Sequence, residues 1–221
     1  YFIDEGIYTL SKGDVALIAP DVLHKTVSVD NSPHTRVLIY FSVDFLNSEI
    51  EKELISCFAV RQMKIPKNRT DYVEDILKKA LIENQKGDIY SKELIRGYIT
   101  EILAFLSRTS EDKENIYIPD DINESIRLAT LFIRNNFDKD ISLNDTAKKA
   151  NMSRTYFSAK FKECTGFGFS EFLNSVRIMN AEKLLTTTNL AITDVATKCG
   201  YNDSNYFALI FKKMKGISPL K

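Results

Sequence analysis

The chain has 221 residues, an apolar share of 44%, and 30 Lys/Arg against 30 Asp/Glu. That length suits one large or two modest domains, and that apolar share supports a buried core. No run of 18 apolar residues and no signal-peptide pattern occurs, so a soluble, cytoplasmic protein without a membrane span is expected. The cysteines, Cys57, Cys164 and Cys199, are odd in number and far apart, which reads as reduced thiols used for packing. The neutral total hides an asymmetry. Residues 1–118 hold 15 Lys/Arg and 19 Asp/Glu, whereas residues 142–221 hold 12 and 6. A basic surplus at one end suits a phosphate-backbone partner.

In chain order, the first 45 residues show short β-like runs at Ile7–Leu10, Asp14–Ile18, Lys25–Val29 and Thr35–Phe41. Turn residues separate them at Ser11-Lys12-Gly13, Pro20-Asp21 and Asp30-Asn31-Ser32-Pro33. The segment GDVALIAPDVLH, Gly13 to His24, resembles the second half of a cupin barrel. Four or five strands cannot close a barrel of about eight, so the chain is expected to begin inside that domain. His24, with Arg36 and Tyr40 on a neighbouring strand, is the expected polar lining of an effector pocket; Arg36, Leu38 and Tyr40 share a face by the period of two. A metal site is not expected, because His24 and His34 lack the His-x-His spacing that enzymatic cupins use.

Residues 48–108 read as helices. Val73, Ile76, Leu77, Ala80 and Leu81 form one stripe. Leu94, Ile95, Tyr98, Ile99, Ile102, Leu103 and Leu106 form a broader one, wide enough to cover a barrel and also meet a partner. The polar Thr109–Asn115 stretch and Pro119 place a linker at 109–119.

The last hundred residues contain one unit written twice. Asp145, Ala147 and Asn151 match Asp194, Ala196 and Gly200 at a spacing of 49, and Tyr156, Phe157, Phe161, Lys162 and Gly166 match Tyr206, Phe207, Phe211, Lys212 and Gly216 at a spacing of 50. The one-residue insertion falls in the turn, which is where a repeated helix-turn-helix tolerates it. Ser142 and Asp145 predict a capping box starting a helix near Leu143. Asn151 and Gly200 suit left-handed stops, Ser153 and Asp203 suit caps of the second helices, and Gly166 and Gly216 end them. The Phe157/Phe161 and Phe207/Phe211 pairs, four residues apart, predict one buried face. The opposite face carries Ser153, Arg154, Thr155, Ser158 and Lys162 in the first copy, and Ser204, Asn205, Ala208, Lys212 and Lys213 in the second; these are the candidate DNA-contacting residues.

The stretches FKECTGFGFSEFLNSVRIMNAEKLL and ITDVATKCGYNDSNYFALIFKKMKGISP resemble the AraC/XylS family of bacterial transcription regulators. Arg177, Ala181 and Leu184-Leu185 of a linker helix and the closing Gly216-Ile217-Ser218-Pro219 carry the likeness most specifically, over about 100 residues from Ile122 onward. The resemblance implies two helix-turn-helix units joined by a rigid helix, a small-molecule effector such as a carbohydrate, and a homodimer formed through the helical segment. The family usually continues past the Gly-x-x-Pro, so this chain is expected to stop early. It also often has a polar or basic residue where this chain has Ala159 and Leu209.

The expected fold is α+β: a partial cupin-like effector-binding domain (1–47), a helical dimerisation segment (48–108), a linker (109–119) and an all-α double helix-turn-helix domain (120–221). The expected function is sequence-specific DNA binding under effector control, with no catalytic residue, cofactor or metal. Two alternatives stay open: a metal-dependent cupin enzyme, and an alkylation-repair protein with AraC-like domains, which would need a reactive cysteine cluster.

Overall fold

The computed structural model describes residues 1–20, 22–28, 35–46, 53–59, 62–111 and 121–219. The chain is α+β, with short antiparallel strands followed by helices, and it divides into two compact units.

One unit comprises residues 9–20 and 29–117. Strand β3 (Asp14–Ala16) pairs antiparallel with β5 (Gln62–Lys64), Val15 opposite Met63. Helix α1 (Thr70–Lys86) ends on Gly87 at φ 62°, and α2 (Ser91–Glu111) follows a turn in which the Asp88 carboxylate accepts from the Tyr90 and Ser91 amides, both at 2.9 Å. The two helices bury Ile76, Ile99, Ile102, Leu103 and Leu106 together with Leu17, Leu46, Cys57 and Met63. Arg96 of α2 is fixed within this unit: its Nε donates to the Phe45 carbonyl at 2.7 Å and its guanidinium lies 5.2 Å from the Phe45 ring centre. The expected stripes are present but wider than this core needs, because Leu81 (52% exposed) and Leu94 (44%) face outward.

The strand expected over Thr35–Phe41 is not formed. Residues 35–42 carry no regular structure, and Val37, Leu38, Ile39 and Tyr40 are exposed. Alternation had suggested a strand, but a strand needs a paired neighbour to satisfy its backbone, and none lies beside this run among the described residues. The turn expected at Asp30–Pro33 lies outside the described residues, as does residues 112–119 of the expected linker; residues 109–111 complete α2.

The other unit comprises residues 1–8, 21–28 and 118–221. Residues 1–47, expected as one segment, are therefore shared between the units. Strand β1 (Phe2–Ile3) lies between β2 (Gly6–Ile7) and β4 (His24–Lys25), both antiparallel to it. A two-residue strand cannot hold itself, and its apolar pair finds cover on the helices: Phe2 is 1% exposed and meets the Phe172 and Phe167 rings edge-on at 5.7 and 6.3 Å. Ion pairs flank this contact, Asp4 with Arg134 at 2.5 Å and Lys25 with Glu171 at 2.8 Å.

Helix α3 (Asp121–Asn135) buries Ile126, Ala129, Thr130 and Ile133, spaced i, i+3, i+4 and i+7, on one face. Then come α4 (Leu143–Lys149), α5 (Arg154–Thr165), α6 (Phe169–Thr187), α7 (Ile192–Lys198) and α8 (Ser204–Lys215). Two cores form. The first joins Phe157, Phe161, Phe172, Leu173 and Val176 to α3; the second joins Ile178 and Ala181 to Val195, Ala196, Phe207 and Phe211. Helix α6 thus serves the first core with its N-terminal half and the second with its C-terminal half.

Candidate nucleic-acid interface

Each helix-turn-helix unit is set by its termini. The Ser142 hydroxyl accepts from the Asp145 amide at 3.2 Å while the Ser142 amide donates to the Asp145 carboxylate at 3.1 Å, closing the expected capping box. The Ser142 hydroxyl also donates to the Asp145 carboxylate at 2.5 Å, and this bond, with the one from the Ser142 amide, holds the Asp145 carboxyl below its usual range. The first turn passes through Asn151 at φ 54° and the second through Gly200 at φ 79°. Ser153 caps α5, accepting from the Tyr156 amide, and Asp203 caps α8, accepting from the Asn205 amide at 2.7 Å. Both second helices end on a left-handed glycine, Gly166 or Gly216.

The paired phenylalanines orient those helices. Phe157 and Phe161 are fully buried, as is Phe207, and Phe211 is nearly so. On the opposite side of α5, Arg154, Thr155, Ser158 and Lys162 are exposed, with Ser153 at the same end. On α8, Asn205, Lys212 and Lys213 are exposed, whereas Ser204 and Ala208 are half-buried. Lys162, Lys212 and Lys213 form no ion pair among the described residues. Lys160 is paired with Glu163 at 2.6 Å, and Lys215 with Glu182 of α6. Those two ammonium groups are committed inside the fold, and the other three are available to phosphates.

Two residues were used in the sequence only to align the repeat. Tyr156 and Tyr206 are about half exposed at equivalent positions of α5 and α8, beside the polar faces. Their spacing of 50 was the signal, but a tyrosine beside a buried phenylalanine reads equally well as core. The outer face of α8 is more apolar than that of α5, with Leu209 at 62% exposure.

The two units meet at Arg177, in the middle of α6. Its Nε donates to the Phe137 carbonyl at 2.7 Å and a terminal nitrogen to the Lys139 carbonyl at 2.9 Å. Its guanidinium lies 5.3 Å from the ring centre of Tyr201, whose hydroxyl donates to Asn174 of α6 at 3.0 Å. Burial raises the Tyr201 phenol well above its usual value and pushes the Cys199 thiol up to about 11.

The expected effector residues are placed differently from the lining of a barrel. His24 is exposed on β4, with its Nδ1 2.9 Å from the Val22 carbonyl; Arg36 and Tyr40 are exposed on the stretch that forms no strand. The two-residue period used to place Arg36 and Tyr40 on one face therefore has no strand to act on. Among the described residues, no group of three His, Cys, Asp or Glu is arranged to hold a metal, and no helix is long and apolar enough to cross a membrane.

Two capped helix-turn-helix units on one linking helix, with unpaired lysines on their outer sides, define a DNA-binding regulator. Comparison with known proteins agrees from both ends of the chain: residues 1–89 match the AraC-like ligand binding domain, and residues 146–221 match a helix-turn-helix domain. The chain belongs to the AraC/XylS family of transcription regulators and is not an enzyme. It is 23% identical over 229 positions to the HTH-type transcriptional activator RhaR of Mannheimia succiniciproducens, covering 99% of this chain and 78% of that protein. It is 28% identical over 218 positions to the lactose operon transcription activator of Staphylococcus xylosus, covering 96% and 75%. The C-terminal domain of AraT, a response regulator from Geobacillus stearothermophilus, is 34% identical over 43% of this chain and 79% of its own, with a TM-score of 0.42.

Proposed function

We propose that α5 and α8 enter successive major-groove segments of one DNA duplex. In this reading Ser153, Arg154, Thr155, Ser158 and Lys162 contact the first segment, and Ser204, Asn205, Ala208, Lys212 and Lys213 the second. The observation that carries it is the matched pair of helices, each with buried phenylalanines on one side and exposed polar and basic residues on the other. Tyr156 and Tyr206 join the set as flanking groups that pack against sugar or phosphate. Helix α6 has 19 residues, about 28 Å at 1.5 Å per residue, which suits recognition helices about one DNA turn, roughly 34 Å, apart. Footprinting on a duplex selected from a random pool tests it: one monomer should protect about 20 base pairs. Protection of half that length would mean that one unit engages alone.

The effector is proposed to be a small molecule of the carbohydrate class, on the strength of the similarity to the lactose operon transcription activator of Staphylococcus xylosus. It would act by favouring one of two arrangements that it binds unequally. Thermal-shift screening of mono- and disaccharides tests this, and a screen without a shift from any sugar removes the class. A homodimer in the cytoplasm is proposed through the outward apolar side chains of α1, α2 and the turn between them, Leu81, Ile82, Ile89, Tyr90 and Leu94. Sedimentation of Leu81→Glu, Leu94→Glu beside the unaltered chain tests that surface. An unaltered chain that sediments as a monomer, or a double variant that still sediments as a dimer, rejects it.

A further inference from the structure

We propose that Arg177 is the positioning residue that sets the spacing and rotation of the two helix-turn-helix units, and so the operator spacing this protein accepts. The inference rests on both units engaging one duplex.

Three parts of the chain converge on this guanidinium. The Phe137 and Lys139 carbonyls belong to the loop leading into the first unit. Tyr201 belongs to the turn of the second unit. Arg177 itself lies on α6 between Val176, which packs in the first core, and Ile178, which packs in the second. The loop's Phe137 side chain packs against both cores. The second turn also approaches the loop directly: a Cβ at Gly200 would meet the Phe137 carbonyl oxygen at 2.6 Å and the Arg177 guanidinium at 2.9 Å. Asn174, bonded to the Tyr201 hydroxyl, anchors the same turn one helical turn earlier on α6.

A planar fork bonded to two carbonyls, with an aromatic ring against its face, holds three elements in one relative orientation. Without it the units would stay joined by α6 and by the packing of Phe137, but the second turn would lose its polar tie to the first unit's loop. Rigid spacing matters energetically because linking two binding modules raises affinity only when the geometry allows both to engage.

The test uses the full chain and a duplex selected by it from a random pool. Affinity is measured on that duplex, on versions with either box scrambled, and on versions with one base pair added or removed between the boxes. The unaltered chain should prefer two boxes over one by about 10²–10⁴-fold. It should also lose most of that preference when the spacing changes. Arg177→Met keeps the stem and removes the fork. It should bind each single box as the unaltered chain does, lose at least about tenfold of the two-box preference, and discriminate less between spacings. Arg177→Lys keeps the charge and can reach only one carbonyl, so it should change in the same direction by less. It carries the test if circular dichroism finds the Met variant unfolded. Two-box preference and spacing discrimination unchanged in a folded variant, or equal losses on one and two boxes, would overturn the proposal. An unaltered chain with no two-box preference would instead overturn the reading that both units engage.

Discussion

The outer faces of the two recognition helices differ enough to predict a division of labour. Each helix exposes a matched lysine, Lys162 or Lys212, and α5 adds three exposed side chains that can hydrogen-bond to bases, Arg154, Thr155 and Ser158. On α8 the equivalent reach falls to Asn205 and a half-buried Ser204, because Ala208 can only touch a thymine methyl and Leu209 is apolar. The first unit should carry most base discrimination, and the second should add backbone affinity through Lys212 and Lys213. Loss of a good base contact costs about 1–3 kcal/mol, so Thr155→Ala should weaken the preferred operator about 5- to 140-fold and relax one position. Lys212→Ala should weaken all sequences alike and flatten the slope of log K against log salt by about 0.9, which is about 3.5-fold less affinity change between 50 and 200 mM. Lys215→Ala should leave that slope nearly unchanged, since Glu182 already neutralises the ammonium. Fluorescence anisotropy on a panel of single-base operator variants at four salt concentrations measures all of these. If Asn205→Ala relaxes specificity more than any change in α5, or if Lys215→Ala flattens the slope as much as Lys212→Ala, the reasoning from exposure and pairing fails.

Further expectations concern stability and reactivity. Gly216→Ala meets nothing within 4 Å and bears only the strain of its φ of 77°, about 1–2 kcal/mol, whereas Gly200→Ala adds the clash with the Phe137 carbonyl and should cost clearly more; equal denaturation midpoints would contradict this. Phe161→Ala should cost about 3–5 kcal/mol in chemical denaturation, since the ring is fully buried among Phe157 and Phe172. The depressed Asp145 carboxyl contributes stability that is present above the ordinary carboxylate pKa and is lost as pH falls through its folded value. Asp145→Asn should therefore narrow the stability difference between pH 7 and pH 3, read by thermal melts; an unchanged difference would remove the capping box from the acid response. Native alkylation at pH 8 should reach half-buried Cys164 first and spare Cys199, whose thiol is pushed up to about 11 by burial, and Cys57, which is buried and raised as well. Fast labelling of Cys199 would mean that the second core opens readily.

The double helix-turn-helix could be read from residues alone because its determinants are local. Caps, left-handed stops and phenylalanines four apart each act within a few residues, and a second copy repeats them except at its first cap, where Ala191 stands in place of Ser142 and makes no side-chain cap. The two long helices of the preceding segment were equally legible from their periodicity, but the strand Gln62–Lys64, inside the range 48–108 expected to be helical, was not, because it exists only by pairing with Asp14–Ala16. The short β segments before those helices were legible only in part: Asp14–Ala16 lies inside the run expected at Asp14–Ile18, and Gly6–Ile7 and His24–Lys25 touch the edges of two others. Whether Thr35–Phe41 becomes a strand depends on a partner for its backbone, and the fate of Phe2 and Ile3 on a distant aromatic cluster that accepts them. Alternation in sequence describes a face without saying what covers it. The role of Arg177 was also beyond the sequence. It stood out there as a family feature, but its bonds reach 40 and 38 residues back along the chain and its ring contact reaches forward to Tyr201. Local chemistry determined what each helix is and which side it buries; only packing between distant segments decided which lysines stay available and where one guanidinium ties two units together.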